Sequence, residues 1–136
     1  MGLLLGKPLR PAENEVRTGL VHRHHITMVN VVRKGQMGGQ FWSAFIGCDA
    51  QFHDAVQLFL EQIDVIKQMV AKYPDDLMWA ESSDDIEAAI RSGKIASLIG
   101  VESGHAIGSS LALLRTLYSV GARYISVLLY CTVLYC

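Results

Sequence analysis

The run Ile95-Ala96-Ser97-Leu98-Ile99-Gly100-Val101 constrains the fold more than any other stretch of this chain. It is apolar without alternation. A strand exposed on one side alternates apolar and polar residues, so a continuous run of this length fits a strand covered on both faces, the situation of a parallel sheet. The strand is read over Lys94 to Val101, and Glu102, Ser103, Gly104 and His105 follow it. A carboxylate therefore stands at the C-terminal end of a parallel strand, which is where α/β proteins gather their chemistry.

The flanking segments agree with that frame. Gln40 to Ile46 is aromatic and apolar and reads as a strand, with Gly47-Cys48-Asp49 as a turn. Val56, Phe59, Ile63, Ile66 and Val70 recur at helical spacing, with Glu61, Gln62, Lys67 and Gln68 between them, and Pro74 marks the end of that helix. Leu77 to Ala80 suits a short strand. Ser82, Ser83, Asp84, Asp85 and Glu87 supply capping oxygens and early acids for a second helix, ended by Gly93. Leu111, Leu114, Leu117 and Tyr118 mark a third helical stripe, with Gly121 as its C-terminal cap, and Arg123 to Leu129 reads as a fourth strand. The order β-α-β-α-β-α-β with short connections implies an α/β fold with a parallel sheet and right-handed crossovers. An open doubly wound sheet and a slice of a (β/α) barrel both fit; a full barrel takes about 250 residues.

At 136 residues, 51% of them hydrophobic and 18% charged, the chain has material for one core. Residues 1–33 lack a period and are expected to be irregular; residues 34–136 carry the α/β pattern. A formal net charge of -1 and no run of Lys or Arg argue against nucleic acid or an anionic lipid surface as a partner. Leu3-Leu4-Leu5 is shorter than the roughly 7 to 15 apolar residues of a signal-peptide core, so no secretion signal is read. Tyr124 to Cys136 is apolar but short of the ~20 residues that span a bilayer, and reads as a buried strand.

Several residues invite a site reading. His22, His24 and His25 cluster around Arg23, yet neighbours on a strand alternate faces and no Asp, Glu or Cys stands nearby at a ligand spacing, so a solvated cluster is expected. Cys48, Cys131 and Cys136 have neither zinc-knuckle nor C-x-x-C spacing, and by composition alone read as reduced, buried thiols. No G-x-G-x-x-G or P-loop follows a predicted strand, which counts against a nucleotide-binding domain. Glu102, judged by spacing, is either a strand-end residue in solvent or part of a site.

Three blocks carry a family resemblance: Gly38-Gly39-Gln40-Phe41-Trp42-Ser43-Ala44-Phe45, Leu60-Glu61-Gln62-Ile63-Asp64, and Ala96 to His105. Together, in this order, they resemble the membrane (renal) dipeptidase family, peptidases with a two-zinc site in a TIM-like barrel. The likeness runs from about Lys34 to Cys131, or 98 of 136 residues, and implies a partial TIM-like (β/α) barrel, about half of the full one. It implies a zinc dipeptidase that cleaves dipeptides through a metal-bound hydroxide. Glu102 matches the family glutamate that bridges both zinc ions, a task suited to a carboxylate because each oxygen can bind one metal. Cys48 and Cys131 match the family's intrachain disulfide, which implies a cell-surface or extracellular setting, in the family through a GPI lipid anchor, and leaves Cys136 unpaired. A homodimer is also implied. His105 and His53 match no metal ligand and are expected to be structural.

The departures matter as much. The chain holds no His-x-Asp, where the family places two zinc ligands, and Leu129 stands where the family has a substrate-contacting His. The remaining family ligands would lie beyond Cys136, and the tail Thr132 to Cys136 departs from the family pattern. A catalytic zinc takes about three protein ligands, so Glu102 alone is expected to hold none, and the isolated chain is expected to be inactive and to expose apolar faces. The alternative is a truncated, non-catalytic α/β binding or interaction protein.

Overall fold

The computed structural model describes residues 28–126. The chain divides into two compact units, Met1–Gln36 and Met37–Cys136. In the first, residues 28–34 form a helix, α1, which corrects the irregular reading of that part of 1–33. Val29 and Val32, three apart on one helix face and both buried, are its apolar stripe; a helix of about two turns is too short to show as a period in the sequence. The histidine cluster 22–25 lies outside the described residues.

The second unit runs β1 (Gly39–Phe45), α2 (Ala55–Lys72), β2 (Leu77–Trp79), α3 (Ser83–Arg91), β3 (Ile95–Glu102), α4 (Leu111–Ser119) and β4 (Ala122–Ser126), with 3-10 turns at Cys48–Ala50 and Gly104–Ile107. All strand pairs are parallel. The expected alternation of strands and helices is present, as a four-stranded sheet consistent with part of a TIM-like barrel and not closed on itself. Its centre is β3, buried from Ile95 to Val101.

β1 pairs along one edge of β3, from Gly39↔Ala96 to Phe45↔Glu102. β2 and β4 share the other edge: Leu77–Trp79 pair with Ile95–Ser97, and β4 takes over from Ile99 to Glu102. Strands consecutive in the sequence are therefore not all neighbours. β2 spans only three residues before the chain turns at Ser82 into α3, which leaves the C-terminal half of that edge of β3 to β4. There the Ser82 hydroxyl accepts from the Asp85 N–H, while the Asp85 carboxylate accepts from the Ser82 N–H at 2.9 Å, a capping box that fixes the start of α3.

The helices cover the two faces unequally. Phe59 and Ile63 of α2 and Leu117 of α4 pack with Ala44, Ile99, Val101 and Ala122 on one face. Ala89 of α3, with Ile86 beside it, packs on the other with Ala80, Ala96 and Leu98, at the N-terminal half of β3. The C-terminal half of that second face stays open, and Phe41, Phe45 and Tyr124 stand exposed on it, in line with the apolar surface anticipated for a partial barrel. The α4 stripe is corrected: only Leu117 is buried, while Leu111 is 67% and Tyr118 65% exposed. Nine residues reach the core through one side chain, and among the described residues no element beyond β4 covers the others.

Candidate functional site

The open face is set by strand register. On β1 burial alternates, with Trp42 and Ala44 turned to the helices and Phe41, Ser43 and Phe45 turned away. Phe41 pairs with Leu98, Ser43 with Gly100 and Phe45 with Glu102, so Gly100 and Glu102 lie on the same face as Phe41, Ser43 and Phe45. β4 joins them through a register shift: Ala122 pairs with Ile99 but Tyr124 with Gly100. The extra residue, Arg123, turns Ala122 to the helices and Tyr124 to the open face, as a β-bulge does. The Tyr124 ring then reaches across Gly100 to Phe41, with ring centroids 5.0 Å apart and planes tilted by 58°.

Glu102 closes β3 above this aromatic floor and is partly buried. Its Oε2 accepts a hydrogen bond of 3.1 Å from the Ser43 hydroxyl. Among the described residues no cation pairs with it. Immediately after it, Ser103 is fully buried with φ at 101°, in the region that favours glycine, and its N–H donates to the Ser126 carbonyl at 2.9 Å. Non-glycine backbone in that region is strained and persists only where its surroundings impose it. Here the pairing to β4 and the turn Gly104–Ile107 impose it.

His105 and His53 end up together, away from this face. Both line a cavity of about 400 Å3 with Gln51, Gly104 and Ser109, and Glu102 is not among its walls. The His105 ring packs on Phe59 at 5.4 Å, and both of its nitrogens are buried without a protein partner. His53 precedes α2, which begins at Ala55. No carboxylate or thiol joins the two histidines, and among the described residues no group of three His, Cys, Asp or Glu could hold a metal.

Chemically, Glu102 suits one position of a cation site: a carboxylate at a strand end, with one oxygen oriented by a neutral donor and the other free. The described residues supply no second ligand, so the arrangement does not fit a complete metal centre. Ser43 was missed from the sequence alone, since only the parallel register of β1 on β3 brings it to Glu102. Leu129, Cys131 and Cys136 lie outside the described residues. Cys48 opens the turn after β1. None of the described helices is long and apolar enough to cross a membrane.

Residues 9–136 match the sequence profile of the family described as membrane dipeptidase, peptidase family M19. The match extends upstream of Lys34 and takes in Thr132–Cys136, which corrects the reading of that tail as a departure. The chain is 44% identical over 106 residues to "Dipeptidase 3" of Mus musculus, an alignment covering 78% of this chain and 21% of that protein. It thus spans about a fifth of the length of that relative.

Proposed function

Because the chain belongs to the membrane dipeptidase family, peptidase family M19, we propose that it is the part of a zinc dipeptidase that contributes Glu102, the carboxylate bridging two zinc ions. The observation that carries this reading is the placement of Glu102: at the C-terminal end of β3, on the open face, oriented by Ser43 and without a cationic neighbour among the described residues. Dipeptides are the substrates. When bound, the zinc ions supply Lewis-acid activation of water and of the peptide carbonyl. This chain's own part is to hold a carboxylate in one orientation above an apolar floor, with the remaining ligands coming from sequence outside it.

The 136-residue chain alone is inactive in this reading, since one carboxylate does not retain zinc. The test compares the 136-residue chain, a longer product that contains it, and the Glu102→Gln variant of that product, in zinc content and in dipeptide hydrolysis. Zinc and activity in the longer product, both lost in Glu102→Gln, are expected. Hydrolysis by the short chain, or full zinc content in Glu102→Gln, overturns the reading; a longer product that folds but binds neither zinc nor dipeptide favours a non-catalytic interaction protein.

Cys48 and Cys131 form a disulfide in the same reading. Support comes from the family match over residues 9–136, which takes in both cysteines, and from the place of Cys48 at the start of the turn that follows β1. Cys48 also has an interaction partner. A disulfide fits an oxidising, cell-surface setting, and a lipid anchor and a homodimer belong to the same proposal. Peptide mapping without reduction should recover Cys48 linked to Cys131; a Cys48–Cys136 link would show the pairing to be wrong.

A further inference from the structure

Strain and unpaired polarity gather in one corner of this chain. Among the described residues, each non-glycine residue with positive φ except Gln36, and each unpaired buried side-chain atom except Trp42 Nε1, belongs to residues 51–52 or 103–109. Phe52 at φ 65° and Ser109 at φ 61° line the cavity of about 400 Å3 between the turn after β1 and the turn after β3, and Ser103 at φ 101° leads into the second turn. Gln51 Oε1 and both ring nitrogens of His105, residues of the same walls, are buried without a hydrogen-bond partner among the described residues. Buried polar atoms are nearly always paired, and strained backbone clusters at ligand clamps. Two independent observations therefore point to a ligand here.

We propose that this cavity binds a small uncharged molecule carrying a primary amide, held between Gln51 and His105. No Asp, Glu, Lys or Arg is among its described walls, and an ion placed there would give up its hydration without a countercharge. Gln51 Oε1 can only accept, and a neutral imidazole donates at one nitrogen and accepts at the other. A primary amide, with two N–H donors and one carbonyl, answers all three atoms; a carboxylate offers no donor to Gln51 and an ammonium no acceptor to His105. Phe52, Ala55 and Val56 supply an apolar wall for the rest of the molecule, and the volume is that of an ordinary small-ligand site. Because the polar atoms are closed to solvent, the ligand reaches them by displacing the turn Gly104–Ile107. That turn has positive φ on both sides, at Ser103 and at Gly108 and Ser109, and so has a hinge at each end. Glu102 is not among the described walls of this cavity, so the site is independent of any metal.

The test titrates the full 136-residue chain, isotope-labelled for nuclear magnetic resonance, with benzamide, benzoate and benzylamine, three probes of similar shape and different charge. The backbone signals of Gln51, Phe52, Gly104 and His105 should move with benzamide, and the two charged probes should bind at least about 10-fold more weakly. Gln51→Met and His105→Phe keep the bulk of each side chain, remove its polar atoms and should each weaken benzamide binding by about 10-fold. The His105 ring packs on Phe59, so if His105→Phe fails to fold, Gln51→Met decides. No movement of those four signals with benzamide, equal binding of benzoate or benzylamine, or wild-type affinity in either folded variant overturns the proposal.

Discussion

The Tyr124 ring occupies the space a side chain at Gly100 would need: a Cβ built on Gly100 falls within the van der Waals envelope of the ring carbons and of the hydroxyl. The glycine in the middle of the most buried strand is therefore the gap through which β4 reaches Phe41 on β1. Gly100→Ala should lower stability by about 1 to 3 kcal/mol, the usual cost of overpacking, read as a lower urea midpoint. Tyr124→Ala should relieve most of that penalty in the double variant. Strictly additive losses would mean the two positions do not compete for the same space.

Ser103 combines a backbone at φ 101° with a buried hydroxyl that has no partner. Strained non-glycine backbone costs on the order of 1 to 3 kcal/mol, against roughly 0.5 to 1 kcal/mol for the extra chain entropy a glycine loses on folding. Ser103→Gly should thus raise stability by about 1 kcal/mol. Ser103→Ala removes the hydroxyl but keeps the strain and should gain less. Equal effects of the two substitutions would place the cost in the hydroxyl and not in the backbone.

These residues show why part of the site was legible in sequence and part was not. Glu102 announces itself because it ends a continuous apolar run, a pattern that depends only on its own strand. Ser43 does not, because its partner lies 59 positions away and is fixed by pairing register. Tyr124 is hidden for a different reason: plain alternation from the buried Ala122 turns it toward the helices, and only the extra residue at Arg123 turns it outward. The stripe Leu111, Leu114, Leu117 and Tyr118 has helical spacing, but spacing cannot say whether a second layer exists to bury it. The short β2 was visible as a strand, while its sharing of an edge with β4 shows only in the pairing along β3.

Acid stability should carry the mark of that cap. The Asp85 carboxylate accepts from the Glu81 N–H at 3.0 Å, from the Ser82 hydroxyl at 2.8 Å and from the Ser82 N–H at 2.9 Å. The Glu81 backbone bond, then the Ser82 hydroxyl, hold its pKa below the ordinary aspartate value. A carboxyl whose pKa is lower folded than unfolded gives stability that is fully present above the unfolded value and lost as pH falls through the folded one. Asp85→Asn keeps the shape and removes the charge, so it should lose less melting temperature than wild type between about pH 7 and about pH 3. Parallel losses would show that the charge of Asp85 does not couple to folding.

Arg123, the bulge residue, ties three segments together with one planar group. Its Nε donates to the Glu81 carbonyl at 2.6 Å, Nη1 to the Tyr118 and Ala122 carbonyls at 3.1 and 3.0 Å, and Nη2 to the Glu81 carboxylate, which also accepts from Trp79 Nε1. The guanidinium carbon sits 4.6 Å from the centre of the Tyr118 ring. A lysine places three donors at one point and cannot meet acceptors spread around a fork, so Arg123→Lys should destabilise by about 2 kcal/mol, nearly as much as Arg123→Ala. With the bulge loosened, Tyr124 should leave Gly100, and the near-ultraviolet dichroism of the Phe41–Tyr124 pair should fall in both variants at temperatures where the far-ultraviolet signal is intact. Wild-type stability in Arg123→Lys would show that a positive charge is enough at this position and that the geometry of the fork does not set the register of β4.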